Sequence, residues 1–389
     1  MQGTETDQRI GLEALRNGDM RRAREYLAKA MAGGRTDPAT LLALANACRQ
    51  LDDQAGKLAA VDRLLEADPR NLRALLIKAD HLAASGDARS AASFYIAALR
   101  NAPPANQVPA DLLPELRRAQ EMNERYAAQY QEHLIQSLRA KGFDPTRSSP
   151  RFAQSLDIVL GRRQIFMQQP RYFYFPGLPQ IQFYDRELFP WMDALERATD
   201  DVRAELLGVL EEPGAFSPYV TGDANRPRRE QAGLLNNPAW SAYFLWKNGE
   251  PVPGNAARCP KTLAALKDAP LCRVPNRSPS ILFSLMKAGT HIPPHNGLIN
   301  TRLICHLPVL VPGPAEFRVG NEVRPWIHGK AWAFDDTIEH EAWNRADATR
   351  VILLFDIWRP EVSEEEQALV VALFEAIDAY SGEKPEWSI

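Results

Sequence analysis

Three two-residue turns recur every 34 residues in the first hundred positions: Gly18-Asp19, Asp52-Asp53 and Gly86-Asp87. Each separates two stretches with the apolar spacing of an amphipathic helix. Small residues stand in register at Gly11, Ala45 and Ala79, and Ala23 and Ala91 lie one turn into the second helices of their pairs. Paired helices need small side chains where they touch. Pro69 and Pro103 close the second and third pairs, since proline cannot continue a helix. One such pair cannot bury its apolar face by itself, so the repetition predicts a stack of helix pairs.

At these positions the chain resembles tetratricopeptide repeats over residues 5–104. It departs from them at the signature Trp and Tyr positions, and Lys57 stands where Ala is usual. The resemblance implies a concave groove for an extended peptide or a partner helix; the plainer alternative is a packing or dimerisation appendage. From Pro109 to Gly142 the pattern stays helical, with Leu112, Leu113, Leu116, Met122, Tyr126, Tyr130, Leu134 and Leu138 as an expected core stripe. A further helix is expected over Arg151–Arg162. We divide the chain into repeats at 1–104, a helical connector at 105–167 and a second domain at 168–389.

A length of 389 residues exceeds what one core usually serves, which favours two domains. With 24% charged residues and a net charge of −3, nothing points to a nucleic-acid surface or a polybasic membrane patch. No apolar stretch approaches the roughly 18–20 residues of a membrane helix, and Met1–Arg9 lacks the apolar core of a signal peptide. A cytoplasmic protein without nucleic-acid or membrane partners is expected. The four cysteines are scattered without a Cys-x-x-Cys pair, so no zinc ribbon is indicated; whether Cys259 pairs with Cys272 stays open.

After Gln168 the texture turns aromatic and proline-rich, and two helical stretches over 188–210 lead into an irregular segment containing Trp240, Tyr243 and Trp246. Strand patterns then dominate: 281–286, 301–307, 315–319, 330–334 and 350–358. Short strands at this spacing suggest a double-sheet barrel, and hence an α+β chain. Alternation puts Arg302, Ile304 and His306 on one strand face and Leu303, Cys305 and Leu307 on the other, while Ser284 shares a face with Met286. A barrel interior holding Arg and His is costly unless an anion or a metal satisfies them. Five of the seven histidines (291, 295, 306, 328 and 340) fall within fifty consecutive residues, so the clustering calls for a chemical reason. His295 and His340, with Arg350 on the next apolar run, read as an iron site beside a clamp for an acidic co-substrate. His291 and His295 have the spacing of helical zinc ligands, but Pro293 and Pro294 forbid a helix there.

The motifs Phe175-Pro176-Gly177-Leu178-Pro179, Gly289-Thr290-His291-Ile292-Pro293-Pro294-His295-Asn296-Gly297 and Asn300-Thr301-Arg302-Leu303-Ile304-Cys305-His306-Leu307 resemble the aspartyl/asparaginyl β-hydroxylase family. So do Phe334-Asp335-Asp336 running into Glu339-His340-Glu341-Ala342-Trp343-Asn344, then Arg350 and Asp356-Ile357-Trp358-Arg359-Pro360. The resemblance covers about 168–362. It implies a double-stranded β-helix, or jelly roll, that uses Fe(II), 2-oxoglutarate and O2 to hydroxylate the β-carbon of Asp or Asn in a peptide or protein brought in partly by the repeats. His295 and His340 would hold the iron, and Arg350 the distal carboxylate of 2-oxoglutarate, with Ser284 and His306 hydrogen-bonding it. Arg302 would meet a substrate carboxylate or form a structural ion pair. The wider oxygenase group adds a carboxylate two residues after the first histidine; here, as in the family, that position is glycine, Gly297. Asp335 and Asp336 are expected to orient an imidazole or an arginine. Ile304 stands where some members carry a second arginine, which unsettles a preference for acidic side chains. The rival readings are a lipid acyl-chain hydroxylase on the same fold, a halogenase with chloride at the ligand position that Gly297 leaves open, and a repeat scaffold carrying an inert barrel. Ser363 and Glu366 predict a capping box opening a last helix that packs through Leu369, Leu373 and Ile377; His328 is expected in an exposed turn.

Overall fold

The computed structural model describes residues 2–220 and 235–381, and the chain divides into two compact units, 1–160 and 161–389. In the first, three helix pairs stack: α1 (Gln2–Arg16) with α2 (Met20–Ala32), α3 (Pro38–Gln50) with α4 (Gln54–Ala67), and α5 (Leu72–Ala84) with α6 (Ala88–Asn101). The 34-residue register is a register of caps. Asp19, Asp53 and Asp87 accept from the backbone N–H groups of Arg22, Gly56 and Ser90 at 3.1, 2.9 and 3.0 Å, each satisfying a donor the helix leaves free. The preceding residue is left-handed each time, with φ of +78° at Gly18, +57° at Asp52 and +86° at Gly86, so Asp52 does glycine's work in the middle repeat. Ala45, Ala79, Ala23 and Ala91 are buried as the close helix approach requires.

Helix α7 (Leu113–Ala140) packs on α6 through Ala119, and Leu112 just before it is buried with the same cluster. The start of this segment therefore extends the repeat core. Its aromatic stripe is not core throughout: Tyr126 is partly buried, whereas Tyr130 is exposed. Helix α8 (Pro150–Val159) ends this unit.

In the second unit, α9 (Met192–Arg197) and α10 (Thr199–Leu210) precede β1 (Ser217–Pro218), β2 (Trp240–Lys247) and β3 (Glu250–Pro251). After α11 (Pro253–Arg258) and α12 (Pro260–Ala265) come β4 (Ile281–Met286), β5 (His291–His295), β6 (Arg302–Leu310), β7 (Ala315–Val319) and β8 (Glu322–Pro325). Strands β9 (Trp332–Phe334), β10 (His340–Asn344) and β11 (Arg350–Trp358) are followed by α13 (Glu364–Ser381). Two antiparallel sheets face each other: a larger one in the order β1-β2-β4-β11-β6-β9, with β3 on β2, and a smaller one in the order β5-β10-β7-β8. This is the expected jelly roll.

Alternation sorts the larger sheet as predicted. Phe283, Leu285, Leu303, Cys305 and Leu307 pack outward with Met192, Leu195, Val202 and Leu206 of α9 and α10. Met286, Ile304 and Ile352 turn inward to meet Ile292, Phe317 and Ala342 of the smaller sheet. Strand β2 occupies the segment expected to be irregular; both its faces are covered, so it shows little alternation between buried and exposed positions. Strand β5 contains two prolines, which it tolerates as the edge of its sheet.

The last helix packs on a different face from the one expected. Its capping box forms, with Ser363 and Glu366 bonded reciprocally at 2.9 and 3.3 Å, but Leu369, Leu373 and Ile377 are exposed. Val370 and Phe374 are buried instead, and Asp378 is bonded to the Arg277 guanidinium at 2.6 and 2.8 Å. All four cysteines are buried free thiols, so Cys259 and Cys272 are not paired.

Candidate active site

Strands β5 and β10 bring the two histidines together by register. His340 lies directly opposite His295 across the antiparallel pair, and their ring centroids are 4.1 Å apart. The register then shifts, with Ala342 opposite Ile292, so one extra residue on β5 reverses the face beyond it. His291 therefore points away from His295 despite the four-residue spacing. It stacks on Trp343 at 5.3 Å and bonds Glu341 at 3.0 Å.

Each imidazole of the inner pair is held through Nδ1 by a carbonyl two residues back. His295 Nδ1 lies 2.8 Å from Pro293 O, and His340 Nδ1 lies 3.0 Å from Ile338 O. A carbonyl accepts only, so both Nδ1 atoms carry the proton and both Nε2 atoms keep a lone pair. Burial pushes both pKa values down, that of His340 well below the ordinary range with further help from His295. Two neutral imidazoles thus present donor nitrogens, a set that suits a divalent transition metal. Among the described residues no three His, Cys, Asp or Glu side chains gather as a metal site. Position 297 cannot add a ligand, because a Cβ there would collide with the Asp336 carboxylate.

Arg350, 1% exposed, lines the same cavity. No carboxylate among the described residues pairs with it. It donates to Ser284 O at 3.2 Å, touches Met286 Sδ and lies over the Trp326 ring at 4.2 Å, while its Nε has no partner among the described residues. Burial pulls its pKa down to about 9. An uncompensated buried guanidinium is costly, so its setting is made for an anion. Two neutral donors line the cavity with it. Trp240 Nε1 donates to Ser284 Oγ at 3.2 Å, which leaves the hydroxyl proton free. Trp326 Nε1 donates to His306 Nδ1 at 3.4 Å, which places the His306 proton on Nε2. Burial, then Arg350, holds the His306 pKa well below the ordinary range, so this ring is neutral too.

Arg302 also lines the cavity, but its charge is already engaged: Nη1 donates to Asp356 at 2.8 Å and Nη2 to Asp336 at 3.3 Å. Burial lowers its pKa; Asp356 and then Asp336 outweigh that and raise it. Asp336 receives the longer bond and its Oδ1 has no partner among the described residues; burial dominates and lifts its carboxyl to about 7. Asp335 pairs with Arg359 at 2.8 Å, both side chains fully buried. The two aspartates thus orient arginines. His328 is exposed in a turn, as expected.

Sequence reasoning missed the hub behind the histidines. Gln168 donates to Asp335 at 2.6 Å and accepts from Asn300 at 3.0 Å, while Arg359 donates to Asn300 O and Pro179 O at 3.1 and 2.6 Å. Asn300, Asp335 and Arg359 stood within quoted motifs, but no spacing rule connects residues so far apart in sequence.

Residues 196–360 match the sequence pattern of the aspartyl/asparaginyl β-hydroxylase family. Over those residues the barrel unit is similar to that family. An ornithine lipid ester-linked acyl 2-hydroxylase of Rhizobium tropici is 34% identical over 189 residues, 47% of this chain and 62% of that protein. The human aspartyl/asparaginyl beta-hydroxylase is 32% identical over 182 residues, 46% of this chain and 22% of its own length. Human aspartate beta-hydroxylase domain-containing protein 2 is 28% identical over 212 residues, covering 54% and 55% of the two chains. The chain thus spans less than two thirds of each relative. Among its described residues no helix is long and apolar enough to cross a membrane.

Proposed function

We propose that the barrel of this protein is an Fe(II)- and 2-oxoglutarate-dependent dioxygenase that hydroxylates an unactivated carbon. The observation that carries this reading is Arg350, a buried guanidinium without a carboxylate partner among the described residues, in one cavity with two imidazoles whose Nε2 atoms keep their lone pairs. His295 and His340 would hold the iron. Arg350 would grip the distal carboxylate of 2-oxoglutarate, with Ser284 Oγ–H and His306 Nε2–H as further donors. Iron(II) with O2 and 2-oxoglutarate, which leaves as succinate and CO2, supplies the oxidant that turns C–H into C–OH. The protein positions the reactants and excludes water.

For the substrate, the family and its human member support the β-carbon of Asp or Asn in a peptide, with the helical repeats helping to bring it in. The name of the Rhizobium relative supports a second reading, an acyl chain. One observation favours that second reading: Arg302, the cation expected to meet a substrate carboxylate, is shared between Asp336 and Asp356. An inert barrel on a repeat scaffold would have no use for an unpaired buried Arg350.

The test is to load the full chain anaerobically with Fe(II) and 2-oxoglutarate, admit O2 with peptide and lipid panels, and follow succinate and product mass. Succinate together with a product heavier by one oxygen atom, both lost in His340→Ala, is expected. No turnover of 2-oxoglutarate with any panel overturns the reading.

A further inference from the structure

The cavity, about 390 Å³, does not stop at the imidazole pair. Its wall continues as a file of rings. The Trp240 ring lies 6.3 Å from that of His295, Tyr219 stacks on Trp240 at 4.3 Å, and Phe244 follows at 6.2 Å from Tyr219. At the far end Lys247, exposed to solvent, holds its Nζ 5.2 Å over the Phe244 ring. Strand register builds this file: Trp240, Ala242 and Phe244 are alternate residues of β2 on the inner face, level with Met286, Ser284 and Leu282 of β4. Ile352, Leu354 and Val252 also line the cavity.

Charge along this route points one way. Of the basic residues lining the described part of the cavity, Arg350 is assigned to the co-substrate, Arg302 is held by Asp336 and Asp356, and Lys247 stands at the solvent end. Among the described residues, a substrate carboxylate beside the reacting carbon would find no free cation to pair with. An uncharged apolar chain meets no such penalty, and rings and aliphatic side chains suit it.

We infer that the file from Trp240 to Phe244 is the substrate arm of the site and that it takes an unbranched acyl chain, not the acidic side chain of a peptide. The inference rests on the hydroxylase reading above only for the fate of Arg350. Each methylene buried along the arm raises affinity about fourfold, until the chain passes Lys247 into solvent.

The experiment is calorimetric titration of the full chain, without iron, with neutral straight-chain acyl amides of increasing length and with Asp- and Asn-containing peptides. Affinity is expected to climb about fourfold per methylene and then level off. Val252→Phe shortens the length at which it levels, and Phe244→Ala lowers long-chain affinity at least tenfold. Affinity independent of chain length, or tighter binding of the acidic peptides, overturns the proposal. The titration needs no turnover, so a protein that binds long chains in this way but never forms succinate sinks the hydroxylase reading and leaves the arm standing.

Discussion

Replacing Arg359 with Met tests how the two histidine-bearing segments are held together. Arg359 and Asp335 are each 0% exposed and paired at 2.8 Å. Asp335 also accepts from Thr337 N at 3.0 Å and Thr337 Oγ1 at 2.6 Å, in the turn that delivers His340. That turn in turn receives Asn296 Nδ2 on Thr337 O at 2.9 Å and Gly297 N on Asp336 O at 2.6 Å, from the segment just after His295. Met leaves a buried carboxylate without its cation, and two carbonyls, Asn300 O and Pro179 O, without that donor. The stranded charge costs about 3–5 kcal/mol, a large share of the roughly 5–15 kcal/mol that stabilises a domain. Asp335→Asn in the Arg359→Met background removes the stranded charge, so the double variant should lose less than the sum of the singles, by about 1–3 kcal/mol. Urea unfolding followed by tryptophan fluorescence reads this out cleanly, because all eight tryptophans lie at or beyond Trp191 and the repeat unit is silent. Loss of less than about 1 kcal/mol in Arg359→Met, or strict additivity in the double variant, would refute the reasoning.

Arg350→Met should abolish the shift in melting temperature that 2-oxoglutarate produces, yet leave the ligand-free protein as stable as wild type or more so, by about 1–4 kcal/mol, since an uncompensated buried cation is removed; calorimetry of both forms checks this. Asp336, whose carboxyl is lifted to about 7, contributes stability that is fully present below its unfolded value of about 3.9 and is lost as pH rises through 7. His295, His306 and His340, held neutral by burial, have the opposite trend below their unfolded value of about 6.5, so the Asp336 contribution is read as a difference: in urea titrations wild type should lose stability relative to Asp336→Asn as pH rises from 5 to 7, by at most about 1.4 kcal/mol per pH unit. On α13, Phe374→Ala should cost about 3–5 kcal/mol and Leu373→Glu less than about 0.5 kcal/mol; equal losses would mean that the helix packs on its other stripe.

The barrel was legible where one strand face is apolar and the other lines the cavity. The expected strands at 281–286, 315–319 and 350–358 coincide with β4, β7 and β11, and the inward set of Ser284, Arg302, Ile304 and His306 followed from alternation. Strand β2 was hidden because both its faces are covered, and β5 because two prolines read as a break until its edge position is known. On α13 the stripes Leu369–Leu373–Ile377 and Val370–Phe374 are offset by one residue, so periodicity could not choose between them. The Asp378–Arg277 ion pair and the Phe374 ring, which lies 5.4 Å from Phe173, belong to the buried stripe. The site's histidines and Arg350 stood out in sequence as a chemical cluster. What could not be read was which cation stays free, because the pairing of Arg302 with Asp336 and Asp356 joins residues 34 and 54 positions apart.

The central claim is that His295 and His340 share one iron ion and that Arg350 seats the co-substrate beside it. Anaerobic equilibrium dialysis of Fe(II) and 2-oxoglutarate against the full chain measures this most directly. The account predicts one iron and one 2-oxoglutarate per chain, loss of iron in His295→Ala and in His340→Ala, and loss of 2-oxoglutarate but retention of iron in Arg350→Met. Iron bound undiminished in both histidine variants, or 2-oxoglutarate bound undiminished without Arg350, would contradict it.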